Sequence, residues 1–250
     1  MKYVTLIFGL YYSINCFGQS TNAISLDLSP MYSYRYFTSN ENGNIKNKFI
    51  YYDSKDFRNL LDTTEYAVFG YSIGFNFTHS LKKFNIIIGI NYSKTGESNK
   101  LDLNKGHQYY YNGQLISSYD GTEEFNFKNY YHHLNVPLSL SYRVFDKSLK
   151  IYVRIGSVFS YVLYRNVLKP KNYEELLTKP ILKEYYASYN KFIFGLSGSI
   201  RIEKYINDKI SVGIEPIINV QMTPILTIEN ELKQHNYNSG LIISIVKHLK

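Results

Sequence analysis

Leu134-Asn135-Val136-Pro137-Leu138-Ser139-Leu140-Ser141-Tyr142-Arg143-Val144 is apolar at every even position and polar, small or prolyl at every odd one. A period of two places alternate side chains on opposite faces of an extended strand. This stretch therefore reads as a strand with one greasy wall and one wet wall. The greasy wall carries no charge, and the wet wall includes Arg143.

The same pattern recurs on both sides of it. Upstream, Ile24, Leu26, Leu28, Tyr32, Tyr34 and Tyr36 alternate with Ser25, Asp27, Ser29, Ser33 and Arg35. Phe69, Tyr71, Ile73, Phe75 and Phe77 alternate with Gly70, Ser72, Gly74 and Asn76, and then Phe84 to Tyr92 repeats the scheme. Downstream, Ile151 to Leu163 opposes Lys150, Arg154, Gly156 and Ser160. Phe192 to Ile202 opposes Gly195, Ser197, Ser199, Arg201 and Glu203. Ile210 to Val220 opposes Ser211, Gly213, Glu215 and Asn219. In a last strand, Tyr237, Leu241, Ile243 and Ile245 face away from Asn238, Gly240 and Ser244, but Ile242 and Val246 interrupt its polar face.

The connections alternate in length. Ser80 to Lys83, Asp146 to Ser148 and Asn207 to Lys209 are tight. Thr38 to Thr64, Gly96 to Lys128 and Asn166 to Ser188 are long, and Pro224 to Asn236 is shorter. Short turns at one end and long loops at the other characterise outer-membrane barrels. The fold class expected is all-β: an antiparallel up-and-down transmembrane β-barrel of about eight strands, with short periplasmic turns and long extracellular loops. Pro137 and Pro216 fall inside strands and each removes a ladder donor, so bulges are expected there.

Alternation alone also suits a soluble lipocalin-like barrel, with the apolar wall turned inward. The aromatic positions discriminate. With the tight turns in the periplasm, Tyr32, Tyr34, Tyr36, Phe69, Tyr71, Tyr92, Phe159, Tyr161, Phe192, Phe194 and Tyr237 gather at the outer end of the apolar wall. Phe75, Phe77, Phe84 and Tyr142 gather at the other. Two aromatic girdles around an aliphatic band are expected at lipid headgroup level.

Met1 to Gly18 reads as a secretory signal peptide: Lys2, a short apolar core from Val4 to Tyr12, and small residues at Cys16 and Gly18 before cleavage. One rival is a transmembrane helix, for which the apolar run is too short; another is a lipoprotein signal acylated at Cys16, to which Asn15 is a poor approach. The expected division is 1–18 signal peptide and 19–250 barrel domain, exported to the outer membrane. Cys16 is the chain's one cysteine, so the mature domain would have no thiol chemistry or disulfide. The formal charge of +8 comes from scattered lysines rather than a basic helix. That suits anionic lipid headgroups and not nucleic acid.

The wet wall supplies the candidate site. Arg143, Arg154, Arg201, Glu203, Glu215 and Asp27 face inward and form the expected lumen polar network. Counting outward from Asn207-Asp208 sets Arg201 beside Glu215 at one height, so they should pair. Side chains can fill so narrow a barrel. The long loops offer Tyr51, Tyr52, Tyr109, Tyr110, Tyr185 and Tyr186 as possible contacts with a partner or sugar. The bland alternative is that they pack the loops. Tyr173 to Leu177 suggests one helical turn. No zinc spacing, phosphate loop, nucleophile elbow or dinucleotide fingerprint occurs, so no cofactor or metal is expected. His132 and His133 point to opposite faces. They sit with His107 and His235 towards the outer rim, where nothing in the spacing builds a triad.

Leu134 to Phe145 resembles a recurring strand of the PorT-like outer-membrane β-barrel family of Gram-negative bacteria. Ile210-Ser211-Val212-Gly213-Ile214-Glu215-Pro216 after its tight turn resembles another, and the leader ending Phe17-Gly18-Gln19 is similar to theirs. The resemblance implies an outer-membrane barrel and no enzyme activity. The function expected is non-enzymatic, structural or in surface interaction, with outer-membrane lipid and an unknown surface ligand or envelope protein as partners. Three alternatives stay open: a small pore or secretion-associated barrel, a lipid hydrolase, and a soluble lipocalin-like binder.

Overall fold

The structure is a computed structural model that describes residues 21–39, 65–103, 108–111, 114–118, 123–168, 187–228 and 232–249. The expected signal peptide, His107, Tyr51, Tyr52, Tyr185, Tyr186 and the Tyr173 to Leu177 turn lie outside these residues.

Among the described residues, thirteen strands run in chain order: β1 (Thr21–Ser39), β2 (Glu65–Tyr66), β3 (Val68–Leu81), β4 (Phe84–Leu103), β5 (Gln108–Tyr111), β6 (Gln114–Ser118), β7 (Glu123–Asp146), β8 (Leu149–Leu168), β9 (Ala187–Tyr189), β10 (Phe192–Tyr205), β11 (Ile210–Gln221), β12 (Leu226–Ile228) and β13 (Leu232–Leu249). Eight of them close a barrel in the order β1-β3-β4-β7-β8-β10-β11-β13, with β13 returning to β1. Every pairing is antiparallel. The turns at Lys82-Lys83, Lys147-Ser148 and 206–209 are as tight as the sequence predicts. Lys82 sits in the left-handed region (φ 53°), as a two-residue hairpin turn demands.

The register fixes the shape. Ile24 pairs with Phe77, Phe77 with Ile88, Ile88 with Leu138, Leu138 with Ser157, and Ser157 with Leu196. Leu196 then pairs with Val220, Val220 with Tyr237, and Tyr237 with Tyr34. One circuit thus returns to β1 ten residues beyond its start. At about 3.3 Å per residue and about 4.8 Å between strands, that offset tilts the strands by about 41°. Each residue then rises about 2.5 Å along the barrel axis, so the uncharged outward face of Ile151 to Leu163 spans about 30 Å, the thickness of a hydrocarbon core.

The walls face as a membrane requires. Exposed large hydrophobics cover the exterior: Ile155 is 64% exposed, Phe75 59%, Ile245 58% and Ile214 53%. The interior buries charge instead: Glu215 is 0% exposed, Glu203 5%, Arg201 7% and Arg154 8%. A soluble barrel needs the reverse. In the outer girdle rings meet across neighbouring strands: Tyr32 meets Phe69, Tyr34 stacks on Tyr237, Tyr71 meets Tyr92, Phe159 meets Phe194 and Tyr161 meets Phe192.

Several expectations need correction. The second girdle is an arc on β3, β4 and β7, centred on Phe77 and the Phe84–Tyr142 pair at 5.0 Å. Ile24, Ile202, Ile210 and Ile245 continue that level as aliphatic wall. No bulge forms at Pro137 or Pro216: Pro137 stays opposite Val158 and Pro216 opposite Leu241. Each strand drops rungs and keeps its register, while the shifts on β7 fall at His132/His133 and Arg143/Phe145. The expected long loop Gly96 to Lys128 is largely strand. β4 and β7 pair on to Leu103 and Glu123, and β5–β6 form a separate hairpin. From Glu97 to Lys100 the sequence is polar at successive positions, so the alternation that marks a strand is lost there. The segment Pro224 to Asn236 likewise holds β12 and the start of β13, with β9 added to β12.

Candidate functional site

The β10–β11 register that pairs Ser199 with Ile217 and Ile202 with Ile214 puts Arg201 across from Glu215, both facing inward. Arg201 Nη1 lies 3.7 Å from Glu215 Oε2, and Arg154 Nη1 of β8 lies 3.2 Å from Glu215 Oε1. Ser199 Oγ donates to Glu215 at 2.5 Å, and Arg201 Nε donates to Glu203 Oε2 at 3.1 Å. One fully buried carboxylate is thus shared by two arginines, with a second carboxylate completing the charge balance. Few other arrangements make a buried charge tolerable.

The other two candidates stand apart from this belt. Asp27 lies in the lumen but accepts from Asn76 Nδ2 at 2.5 Å. Arg143 sits at the turn-end rim, where it pairs with Asp146 at 3.2 Å and donates to the Lys82 carbonyl at 3.0 Å.

Glu203 extends the network towards the turn end. Ser211 Oγ donates to Glu203 Oε1 at 2.6 Å and lies 2.8 Å from His248 Nε2, and His248 stacks on Tyr205. This is a serine, a histidine and an acid in contact, which is the composition of a hydrolase triad. The geometry is not that of one. A triad needs the acid on Nδ1 and the serine on Nε2, whereas both Glu203 and Ser211 approach Nε2 here. Ser211 is also 0% exposed. The cluster serves to satisfy a buried carboxylate.

A different structure closes the loop end. Between β11 and β12 the chain gains three residues of register against β13, since Val220 pairs with Tyr237 but Leu226 with Gln234. The surplus lies in Met222 to Ile225, which leaves Met222 exposed and turns Ile225 inward. Met222 and Thr223 amides donate to the Phe194 carbonyl, and Ile225 packs with Tyr131, Ile193 and Leu226 against Val162. Beside this apolar plug, buried Glu97 accepts from Asn129 at 2.7 Å, from Tyr131 at 3.1 Å and from Gln234. Sequence reading missed Glu97 because it fell within an expected loop, and missed His248 because it stands in a terminal tail.

Among the described residues, cavities lie on both sides of the belt. One of about 120 Å³ lies beneath the plug, lined by Ile193, His133, Asn135 and Asp27 among others. One of about 570 Å³ occupies the turn end. Arg154 and Ile87 line both, so they stand at the partition. Among the described residues no cluster of His, Cys, Asp or Glu is placed to hold a metal.

The chain is similar to several solved structures. Neisserial surface protein A matches at 9% identity and a TM-score of 0.37, over 89% of this chain and 97% of that one. The outer membrane protease OmpT of Escherichia coli matches at 12% identity and a TM-score of 0.42, over 94% and 98%. The outer membrane protein W of Escherichia coli matches at 12% and 0.35, over 89% and 97%. No family model and no curated protein matches the chain. What this barrel does must therefore be read from its own walls and lumen.

The histidines near the loop end divide between the two faces. His132 points outward, stacks on Tyr164 at 4.0 Å and contacts the Tyr92 hydroxyl. His133 points inward to Thr95 Oγ1 at 3.0 Å. His235 stacks on Tyr36. Each is engaged with an aromatic or hydroxyl neighbour, and they do not converge on a common point. Tyr109 and Tyr110 belong to the β5 strand of the hairpin.

Proposed function

We propose that this chain is a non-enzymatic outer-membrane β-barrel of the PorT-like kind, closed to free passage, with its loop end at the cell surface and its turns in the periplasm. Its exterior supports the location: an uncharged band about 30 Å high with an aromatic girdle is matched to lipid. The observation that carries the function is that two barriers of different chemistry cross the lumen in series. The Arg154–Glu215–Arg201 belt stands at the middle, and the Tyr131–Ile193–Ile225–Leu226 plug stands at the loop end. A conduit has no use for either. What is left to do the work is the loop end, which would contact a surface ligand or an envelope protein. The Leu134 to Phe145 and Ile210 to Pro216 strands support the family reading. Planar-bilayer recording tests the proposal: the purified barrel should insert without steady current, and a stable open conductance would overturn it in favour of a pore.

A further inference from the structure

The turn end of the lumen is not filled by side chains. Its cavity of about 570 Å³ falls in the size range of small-molecule sites. The walls differ in chemistry. On one side the register sets both Arg143 of β7 and Arg201 of β10 against Tyr152 of β8, which brings the three to one level. Lys150 lies one rung nearer the opening, and Arg154 one rung deeper. On the opposite side stand neutral donors such as Thr78, Ser80 and Asn85.

The balance of charge favours an anion. Lys82, Arg143, Lys150, Arg154 and Arg201 line the cavity, and Glu203 is the carboxylate among its lining residues. Asp146 at the rim pairs with Arg143 and Lys150, and Glu215 lies behind Arg154. Asp27, deeper in the lumen, also acts on Arg154 and Arg201, and five cations against these four carboxylates leave the chamber positive. A recess with apolar surroundings concentrates such a field. Arg154 Nε is buried with no hydrogen-bond partner. Tyr205 adds a flat wall, held between Lys150 Nζ at 4.2 Å and the stacked His248 ring.

We propose that this chamber is a binding site for a small soluble oxyanion, a phosphate or carboxylate compound entering from the periplasm. Arg143 and Lys150 at the mouth would capture the anion, and the Arg201 and Arg154 edge would meet it deeper in. The inference rests on the outer-membrane reading, because that reading makes the turn end periplasmic.

Calorimetric titration of the folded full-length mature barrel in zwitterionic detergent, with sodium pyrophosphate as the probe, tests it. Wild type should bind saturably. Arg143→Gln/Lys150→Gln should weaken binding by about tenfold or more, the share expected of charge-assisted hydrogen bonds. Lys191→Gln, at the opposite end, should bind as wild type does. Heat-modifiable gel mobility reports folding for every variant. No binding by the folded wild type, equal binding by the double variant, or an equal loss in Lys191→Gln would each overturn the site. A chain that never folds into detergent as a barrel would instead overturn the outer-membrane reading beneath it.

Discussion

Replacing Glu215 with Gln keeps the shape of the side chain and removes the charge that two buried arginines share. At an effective dielectric of about 20, Coulomb attraction over the 3.2 Å and 3.7 Å contacts is about 5 and about 4.5 kcal/mol. Removing the carboxylate from water cancels several kcal/mol of that. The two guanidiniums left behind would still be buried, would repel each other, and would have Glu203 as the remaining direct ion-pair partner of Arg201. Breaking such an arrangement is expected to cost about 3–5 kcal/mol. Equilibrium unfolding by guanidinium from lipid vesicles measures this as a shift in midpoint at constant slope. Adding Arg154→Gln to Glu215→Gln should recover part of the loss, because it removes one stranded charge. A Glu215→Gln barrel within about 1 kcal/mol of wild type, the range of an exposed pair, would refute the claim that the belt is a dry, mutually neutralised unit.

Other outcomes follow from the same walls. Ile225→Ala should cost about 2–5 kcal/mol by hollowing the plug it forms with Tyr131 and Ile193, and amide exchange should quicken between Met222 and Leu226. That variant alone should stay electrically silent in planar bilayers, because the Arg154–Glu215–Arg201 belt still crosses the lumen; combined with Glu215→Ala it should show transient current. Gly74→Ala should destabilise by about 1–3 kcal/mol, since a Cβ there meets the Asn91 Cβ at 2.2 Å and the Ile90 carbonyl at 2.4 Å on the neighbouring strand; vesicle unfolding against Gly198→Ala, where a Cβ meets nothing within 4 Å, is the check. Ile155→Lys, on the most lipid-exposed part of β8, should cost about 2–4 kcal/mol in the same assay.

The barrel is legible in the sequence because lipid and lumen impose opposite chemistry on successive residues. Leu134 to Val144 states the alternation outright, and the Asn207–Asp208 turn gives the height of Arg201 relative to Glu215 by counting. Legibility stops where that contrast stops. Glu97 belongs to a stretch of β4 that leaves the bilayer, where polar residues on both faces look like loop. Ile242 and Val246 look like errors in a polar face, yet both turn inward and are buried. A narrow lumen needs volume as well as polarity, and Met31, Ile87 and Ile193 serve it in the same way. The third partner of Glu215 was not countable, since Arg154 reaches it from a strand two positions away in the sheet order. Nor was the inward turn of Ile225, which depends on a three-residue mismatch between β11 and β12 along β13.

The chain contains no tryptophan, so one introduced residue can report which solvent bathes each wall. In vesicles of lipids brominated along their acyl chains, Ile155→Trp on the exterior should emit at short wavelength and be strongly quenched. Tyr152→Trp in the lumen should be spared. Quenching at position 152 together with water-like, unquenched emission at 155 would mean that the barrel turns its isoleucines away from oil, and the membrane account would fail.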